Sequence, residues 1–179
     1  MRQLLLLRHA KSSWEEPGQK DHARPLNPRG RAAAAAARDV IRNLGLVPDV
    51  VLVSSARRTL QTLEALAPWD ETPIIEMMDG LYLASPERIL RIIAGVSETV
   101  RSLMVVGHNP GLHELAMLLV GGHGASSNSN NAHQLAEGFP AGALAEFSVP
   151  QSWRELAAGG GTAAGRLVRF IRPRDLADD

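Results

Sequence analysis

The chain has 179 residues, of which 45% are hydrophobic and 21% charged, an ordinary composition for a soluble globular protein with one sizeable core. Its 19 Lys and Arg residues equal its 19 Asp and Glu residues, so the basic excess typical of nucleic-acid-binding proteins is absent. The sequence contains no cysteine, which excludes disulfides, thiol catalysis and cysteine-ligated metals. We therefore expect a single domain over residues 1–179 without a nucleic-acid partner.

The first apolar run of the sequence is the four consecutive leucines Leu4–Leu7. It is too short for a membrane span or for the core of a signal peptide, so we expect a cytoplasmic protein that does not bind membranes. A run of this kind is typical of a strand buried on both faces. The run ends at Arg8 and His9, whose side chains can take part in binding or catalysis.

The first half of the sequence alternates strand signals with helix signals. A strand at residues 3–7 is followed by a polar loop at residues 11–26. Asn27-Pro28 then supplies a helix N-cap and a first helical residue, and the helix continues through six alanines to Gly45. Three more elements are expected in this half: a buried strand at 50–53, a helix capped by Ser54 and Ser55 that runs to about Ala67, and a short strand at 73–76.

The second half continues the alternation. Ser85-Pro86 begins a helix, and residues 103–107 form a fourth apolar strand. Asn109-Pro110 repeats the earlier helix start, with a helix to about Val120. A flexible loop at 121–131 and two late strands at 143–149 and 166–171 complete the chain. This order predicts an α/β three-layer sandwich, in which helices cover both faces of a mainly parallel sheet.

Polar residues follow the first, second and fourth predicted strands. Arg8 and His9 come after the first strand, Arg57 and Arg58 after the second, and His108 after the fourth. Because ligands bind at the carboxyl ends of parallel strands, these residues are expected to meet at one edge of the sheet. Successive strand residues point to opposite faces, so Arg8 and His9 share a pocket only if the chain turns at His9. Arginines and helix N-termini both favour anions, which predicts a phosphate-sized anion pocket containing imidazoles.

The other four histidines do not form a pattern of metal ligands. His113 falls on a predicted helix, whereas His22, His123 and His133 fall in polar loops. A zinc site needs three or four ligands at suitable spacing, and no acidic residue is patterned with His108 and His113. The sequence therefore predicts no metal site and no cofactor.

Three segments resemble the motifs of one family. The segments "LLLLRHAKSSW", "SSARRTLQT" and "VVGHNPGL" resemble, in order, the three motifs of the histidine phosphatase superfamily, also called phosphoglycerate-mutase-like. The register of the second motif selects Arg58, with Ser54 before it and Thr62 after it. The segments "RPLNPRG" and "LYLAS" are further similar to the SixA-type phosphohistidine phosphatases. The resemblance covers nearly the whole chain and implies the phosphoglycerate-mutase-like fold.

The resemblance also implies a mechanism. His9 would be the nucleophile and would form a phosphohistidine intermediate that water then hydrolyses. It must be neutral to attack, and the nearby Arg8 and Arg58 should lower its pKa. Arg8, Arg58 and His108 would bind the equatorial phosphoryl oxygens. No metal is needed, because the arginines supply the positive charge.

The resemblance implies a general acid in the segment after the third predicted strand. Asp79 is the best candidate and Glu76 the fallback, although Asp79-Gly80 is also a turn signal. An imidazole leaving group needs far less help from an acid than an alkoxide does. The short stretch between Glu76 and Ser85 leaves no room for a large cap over the site. Both points favour phosphohistidine in a protein partner over a small phosphate ester.

Several departures and alternatives stay open. Ala10 replaces a glycine of many members, and Glu15 stands where the mutase branch has an asparagine, which argues against a mutase. Ser12, Arg24 and a loop over residues 121–139 are further candidates for binding substrate and inorganic phosphate. The alternative for Arg24 is a surface salt bridge, and for the loop a disordered connection. A small-molecule phosphomonoesterase and a non-catalytic phosphate-binding module are the competing functions.

Overall fold

A computed structural model describes residues 1–121, 129–162 and 164–176. Numbered in chain order, the strands β1 to β6 are Arg2–Arg8, Val50–Ser54, Ile74–Met78, Ser102–Gly107, Leu144–Val149 and Arg166–Ile171. The α-helices α1 to α6 are Pro28–Asn43, Arg57–Ala65, Pro86–Ala94, Gly111–Val120, Asn130–Glu137 and Trp153–Ala158. Short 3-10 turns include Asp21–Ala23, Asp79–Leu81 and Pro173–Asp175.

The six strands form one sheet in the order β3-β2-β4-β1-β5-β6. The first four strands of this order are parallel to one another, whereas β5 and β6 pair antiparallel. The prediction of a mainly parallel sheet with helices on both faces is thus confirmed. β1 lies between β4 and β5, so the strand that carries Arg8 is an interior strand.

The four leucines of β1 supply both faces of the sheet. Leu4 and Leu6 pack into the core on the side of α3, α4, α5 and α6, and Leu5 and Leu7 pack on the side of α1 and α2. All four are at most 1% exposed. The alternation follows from the two-residue period of a strand, and it explains why a continuous apolar run occurs here.

Two helices were not expected from the sequence. Residues 130–137 form α5, although the predicted loop extended over them, and α6 lies between the two late strands. Ser129 caps α5 by accepting a hydrogen bond from the Ala132 amide. Ser152 and Glu155 form a capping box at the start of α6. The central part of the predicted loop, residues 122–128 with His123, lies outside the described residues.

Two predicted helix starts are wrong in detail. α2 has Ala56 as its N-cap, without a side-chain cap, because Ser54 is the last residue of β2. The Ser54 hydroxyl accepts from the backbone amide of Ala56 and from His108 instead of from an amide in the first turn of α2. α4 begins at Gly111 after the N-cap Pro110. The Asn109 side chain does not cap this helix, since its amide donates to the carbonyl oxygen of Phe139 at 2.8 Å.

Among the described residues, none of the helices combines the length and the apolar character that crossing a bilayer requires. The cytoplasmic location stays a prediction.

Candidate active site

A cavity of about 890 Å³ opens at the carboxyl ends of the parallel strands. The predicted residues Arg8, His9, Arg58 and His108 all line it, and so do Ser12 and Arg24. β1 ends at Arg8, so the chain leaves the strand at His9 and both side chains reach the same cavity. The chain therefore turns at His9, as it must if Arg8 and His9 are to share one pocket.

The ring of His9 is held in one tautomer. Its Nδ1 lies 2.7 Å from the carbonyl oxygen of Ala10, which can act as an acceptor alone, so Nδ1 carries the proton. Arg58 Nε donates to Nε2 of His9 at 3.3 Å. Nε2 therefore carries the lone pair and faces a guanidinium group.

Burial lowers the pKa of His9 to about 4, and this outweighs the hydrogen bond to Ala10, which raises it. The positive charges of Arg58 and Arg8 lower the pKa further. The expected direction of the shift is present, but its largest cause is burial, which the motif alone does not reveal. At neutral pH the imidazole is neutral.

Arg58 lies at the centre of the site and is 2% exposed. Besides its bond to His9, its Nη2 donates to Nδ1 of His108 at 3.3 Å. The opposite nitrogen of His108, Nε2, lies 2.7 Å from the hydroxyl of Ser54 and donates to it. Burial lowers the pKa of His108 to about 3, and the charge of Arg58 acts in the same direction. Both histidines of the site are therefore neutral.

Asp21 is a site residue that the sequence reasoning missed. Its Oδ2 accepts from Arg58 Nη2 at 3.0 Å, and its Oδ1 accepts from Arg24 Nε at 3.1 Å. The hydroxyl of Tyr82 also donates to Oδ2. Burial raises the pKa of Asp21, but the hydrogen bonds from Tyr82 and Arg58 outweigh it and bring the pKa to about 2. Asp21 is thus an ionised carboxylate that bridges two arginines.

Arg24 is a buried component of the cavity wall and not a surface salt-bridge residue. It is 7% exposed, and its Nη1 donates to the hydroxyl of Ser12 at 2.9 Å. Its guanidinium carbon lies 3.3 Å from the ring centroid of Trp14, in cation–π geometry. Arg24 therefore ties the loop that contains Ser12 and Trp14 to Asp21.

Arg8 is oriented by the segment that precedes β5. Its Nη1 donates to the carbonyl oxygen of Phe139 at 3.1 Å, and the same oxygen accepts from the Asn109 amide. Arg8 Nε is buried and has no hydrogen-bond partner among the described residues. An unpaired guanidinium donor that lines a cavity favours an anionic ligand.

The structure does not bring the two candidate acids into the site. Asp79 begins the 3-10 turn Asp79–Leu81, and Glu76 lies on β3. Both are exposed, and neither is among the described residues that line the cavity. Asp21 is the acidic side chain that does line it.

The site as a whole is built for an anion. Three arginines, Arg8, Arg24 and Arg58, surround a neutral imidazole whose Nε2 lone pair accepts a hydrogen bond from Arg58. Such groups bind a phosphoryl group and stabilise the charge that develops on it during transfer. No three His, Asp or Glu side chains within the described ranges are grouped so that they could hold a metal ion.

Comparison with known proteins assigns the chain to a family. Residues 4–81 match the model of the histidine phosphatase superfamily, branch 1. A protein of uncharacterised function from Mycobacterium tuberculosis is 36% identical over 94% of this chain and 100% of its own length. The chain belongs to the histidine phosphatase superfamily, branch 1. The resemblance seen in the three motifs is thereby confirmed.

Solved structures that are similar to this chain include three that carry SixA in their names. A candidate phosphohistidine phosphatase SixA from Nakamurella multipartitia is 31% identical, with a TM-score of 0.81 and coverage of 96% of each chain. The protein histidine phosphatase SixA in complex with tungstate is 20% identical, with a TM-score of 0.75, and the match covers 98% of this chain and 99% of that one. The second likeness supports the fold.

Proposed function

We propose that the protein is a metal-independent phosphatase that forms a phosphohistidine intermediate on His9 and dephosphorylates phosphohistidine in a protein partner. The observation that supports this most directly is the state of His9. Its Nδ1 proton is held by Ala10, its pKa is lowered to about 4, and its Nε2 lone pair lies beside Arg58. A neutral imidazole among guanidinium groups is a nucleophile prepared for an anionic electrophile.

The reaction has two steps. In the first, Nε2 of His9 attacks phosphorus, the bond from phosphorus to the substrate imidazole breaks, and that imidazole leaves with the electron pair and takes a proton from solvent. In the second, water attacks phosphorus, the bond from phosphorus to Nε2 breaks, and inorganic phosphate is released. A water proton goes to solvent, and His9 returns to its neutral form.

Arg8, Arg58 and His108 are proposed to hold the phosphoryl oxygens in both steps. Arg58 must exchange its bond with His9 for a bond with a phosphoryl oxygen, which frees the Nε2 lone pair for attack. His108 can contribute as well if it takes up a proton on Nδ1, which now accepts from Arg58. The contribution of these groups is positional and electrostatic.

The choice of phosphohistidine as substrate depends on where the candidate general acids lie and on their protonation. Asp79 and Glu76 are exposed and outside the cavity wall, and Asp21 is ionised with a pKa of about 2. A carboxyl group this acidic is a poor proton donor for an alkoxide, whereas an imidazole leaving group needs less assistance. The arrangement therefore favours a phosphoramidate bond over a phosphate ester.

The test measures phosphate release from a histidine-phosphorylated protein and from an aryl phosphate, each with and without EDTA. We expect wild type to hydrolyse the phosphoprotein in EDTA, and a phosphorylated imidazole to be trapped on His9 after acid-free quenching. His9→Gln should be inactive on both substrates. A marked preference for phosphate esters would favour a small-molecule phosphomonoesterase. Phosphate binding without turnover would favour a binding module.

A further inference from the structure

The cavity concentrates positive charge in a chain whose formal net charge is zero. Six Lys and Arg side chains are among the described residues that line it, against the one carboxylate of Asp21. Three of the six form the cluster around His9. The other three, here named the outer cations, are Lys11, Arg29 and Arg174, and all three are exposed.

The fold brings the outer cations together from separate segments. Lys11 follows β1, Arg29 is the second residue of α1, and Arg174 lies in the 3-10 turn Pro173–Asp175. The first turn of α1 lies directly against the backbone of Lys11, whose carbonyl oxygen accepts from the Asn27 amide at 3.0 Å. A Cβ atom at Gly30 would lie 2.1 Å from that same oxygen. The close approach therefore requires glycine, and it places Lys11 and Arg29 at the same part of the cavity.

Two of the outer cations, Lys11 and Arg29, are not paired with an acidic side chain in the part of the chain that the structure describes, whereas the charge of Arg174 contributes to lowering the pKa of the neighbouring Asp175. The side chains of Lys11 and Arg29 form no hydrogen bond or ion pair with any residue that the structure describes. Asp175, the neighbour of Arg174, is held by Arg172 at 2.8 and 3.1 Å. Cations gathered in one cavity repel one another, and their field attracts an anion. The outer cations thus indicate a negative group in addition to the phosphoryl group beside His9.

The mouth of the cavity also presents exposed apolar side chains. Trp14 is 77% exposed and Leu83 is 53% exposed, and both line the cavity. Leu83 adopts a left-handed backbone conformation, with φ of 49°, which is uncommon for a residue other than glycine. Strained backbone conformations of this kind cluster at functional sites. Tryptophan and arginine side chains are enriched in surfaces that contact other proteins.

We propose that the outer cations bind acidic side chains that flank the phosphorylated histidine on the partner protein, while Trp14 and Leu83 contact its apolar surface. This inference rests on the proposed function and specifies its substrate: a phosphohistidine within an acidic patch. Contacts of this kind at the rim of a site determine specificity and association rate more than affinity.

The test compares two phosphohistidine peptides that differ in their flanking residues, Glu in one and Gln in the other. We expect the wild-type kcat/KM to be roughly tenfold higher for the Glu peptide at low ionic strength, and the preference to shrink in 0.5 M salt. The Glu/Gln ratio is the kcat/KM for the Glu peptide divided by that for the Gln peptide. Lys11→Gln and Arg29→Gln should each reduce this ratio about threefold, and the double variant should reduce it about tenfold. Arg29→Glu should favour a peptide with flanking Lys.

Arg31→Gln is the matched control. Arg31 is exposed on the same helix as Arg29, and its substitution removes the same charge. Because it lies two residues later, its side chain points about 200° away from that of Arg29 around the helix axis, and it is not among the described residues that line the cavity. We expect its Glu/Gln ratio to equal that of wild type.

Three outcomes would overturn the inference. Equal kcat/KM for the Glu and Gln peptides, or an equal effect of Arg31→Gln and Arg29→Gln, would do so while leaving the proposed function intact. The double variant could also lose as much kcat/KM on a small phosphorylated hydroxy acid as on the Glu peptide. That result would indicate that the outer cations bind the carboxylate of a small molecule instead. Hydrolysis of neither peptide by wild type would overturn the proposed function itself.

Discussion

Strands β1 and β3 run parallel, so their carboxyl ends lie on the same side of the sheet, yet the surroundings of these two ends differ. β1 is an interior strand that leads into His9, a residue that is 7% exposed and whose pKa burial lowers to about 4. β3 is an edge strand, its Ile74 is 64% exposed, and the Asp79 that follows it is exposed as well. An interior strand end removes polar groups from water and so changes their proton affinity, whereas an edge strand leaves them solvated. Substitutions at the ends of these two strands test whether the reactive groups belong to the centre of the sheet.

The largest effect is expected at the end of β1. His9→Gln keeps a side chain of similar polarity but lacks a nucleophilic ring nitrogen, so kcat/KM should fall by at least about 10³-fold on every substrate. Single-turnover phosphate release checks this, with circular dichroism to confirm the fold. Retained turnover would mean that another group forms the intermediate.

The next largest effect is expected at Arg58. Arg58→Lys keeps the charge but cannot bond His9, His108 and Asp21 at the same time. We expect kcat to fall about 10²-fold. Arg57→Lys is the matched control, because Arg57 is exposed one residue earlier on the same helix and does not line the cavity. Equal losses in the two variants would contradict the assignment of Arg58.

Asp21→Asn separates two roles of one carboxylate. The change removes a negative charge that competes with phosphate for Arg58, so KM and the inhibition constant of inorganic phosphate should fall. It also loosens Arg58 and Arg24, so kcat should fall roughly tenfold. Steady-state kinetics with phosphate as inhibitor checks the split. A parallel rise of KM would show that Asp21 contributes to binding instead.

The buried histidines should make stability depend on pH. His9 and His108 have lowered pKa values in the folded chain, so the unfolded chain binds more protons once the pH falls below about 6.5. The free energy of unfolding should therefore decrease from pH 6.5 to pH 5, by roughly 1–2 kcal/mol for each histidine. Urea unfolding at the two pH values measures this, and His108→Gln should reduce the difference. An unchanged difference in that variant would contradict a neutral buried His108.

The smallest effect is expected at the end of β3. Asp79→Asn and Glu76→Gln change exposed side chains outside the cavity wall. Their kcat/KM on a phosphohistidine substrate should stay within about twofold of wild type. A loss of 10²-fold in Asp79→Asn, comparable to that of a general acid, would break the contrast between centre and edge and would favour a phosphate ester as substrate.

The sequence predicts the parts of the site that lie at strand ends. Apolar runs locate β1, β2 and β4, and the motifs that follow them place Arg8, His9, Arg58 and His108 at one edge. These inferences hold because strand period and parallel topology leave few alternatives for a continuous apolar run.

The parts that the sequence reasoning missed depend on loops. Asp21 lies in a polar segment with no periodicity, and it becomes a site residue because the chain folds back to Arg58 and Tyr82, which are 37 and 61 residues away. The caps of α2 were misassigned for a related reason. The Ser54 hydroxyl accepts from His108, a long-range partner that local capping rules do not include. Such contacts are tertiary, and short motifs do not encode them.

Charge separation has a consequence for how the molecule behaves in solution. The sequence pI is about 7.0, but the cations gathered in the cavity leave a surplus of acidic side chains for the rest of the chain. A positive cavity that is balanced by acidic side chains elsewhere gives the molecule an electric dipole at zero net charge. The molecule should bind a cation-exchange resin near its isoelectric point through the face that carries the cavity. The same dipole would rotate the cavity toward an acidic partner before contact, so the orientation of the first encounter is already set by the fold.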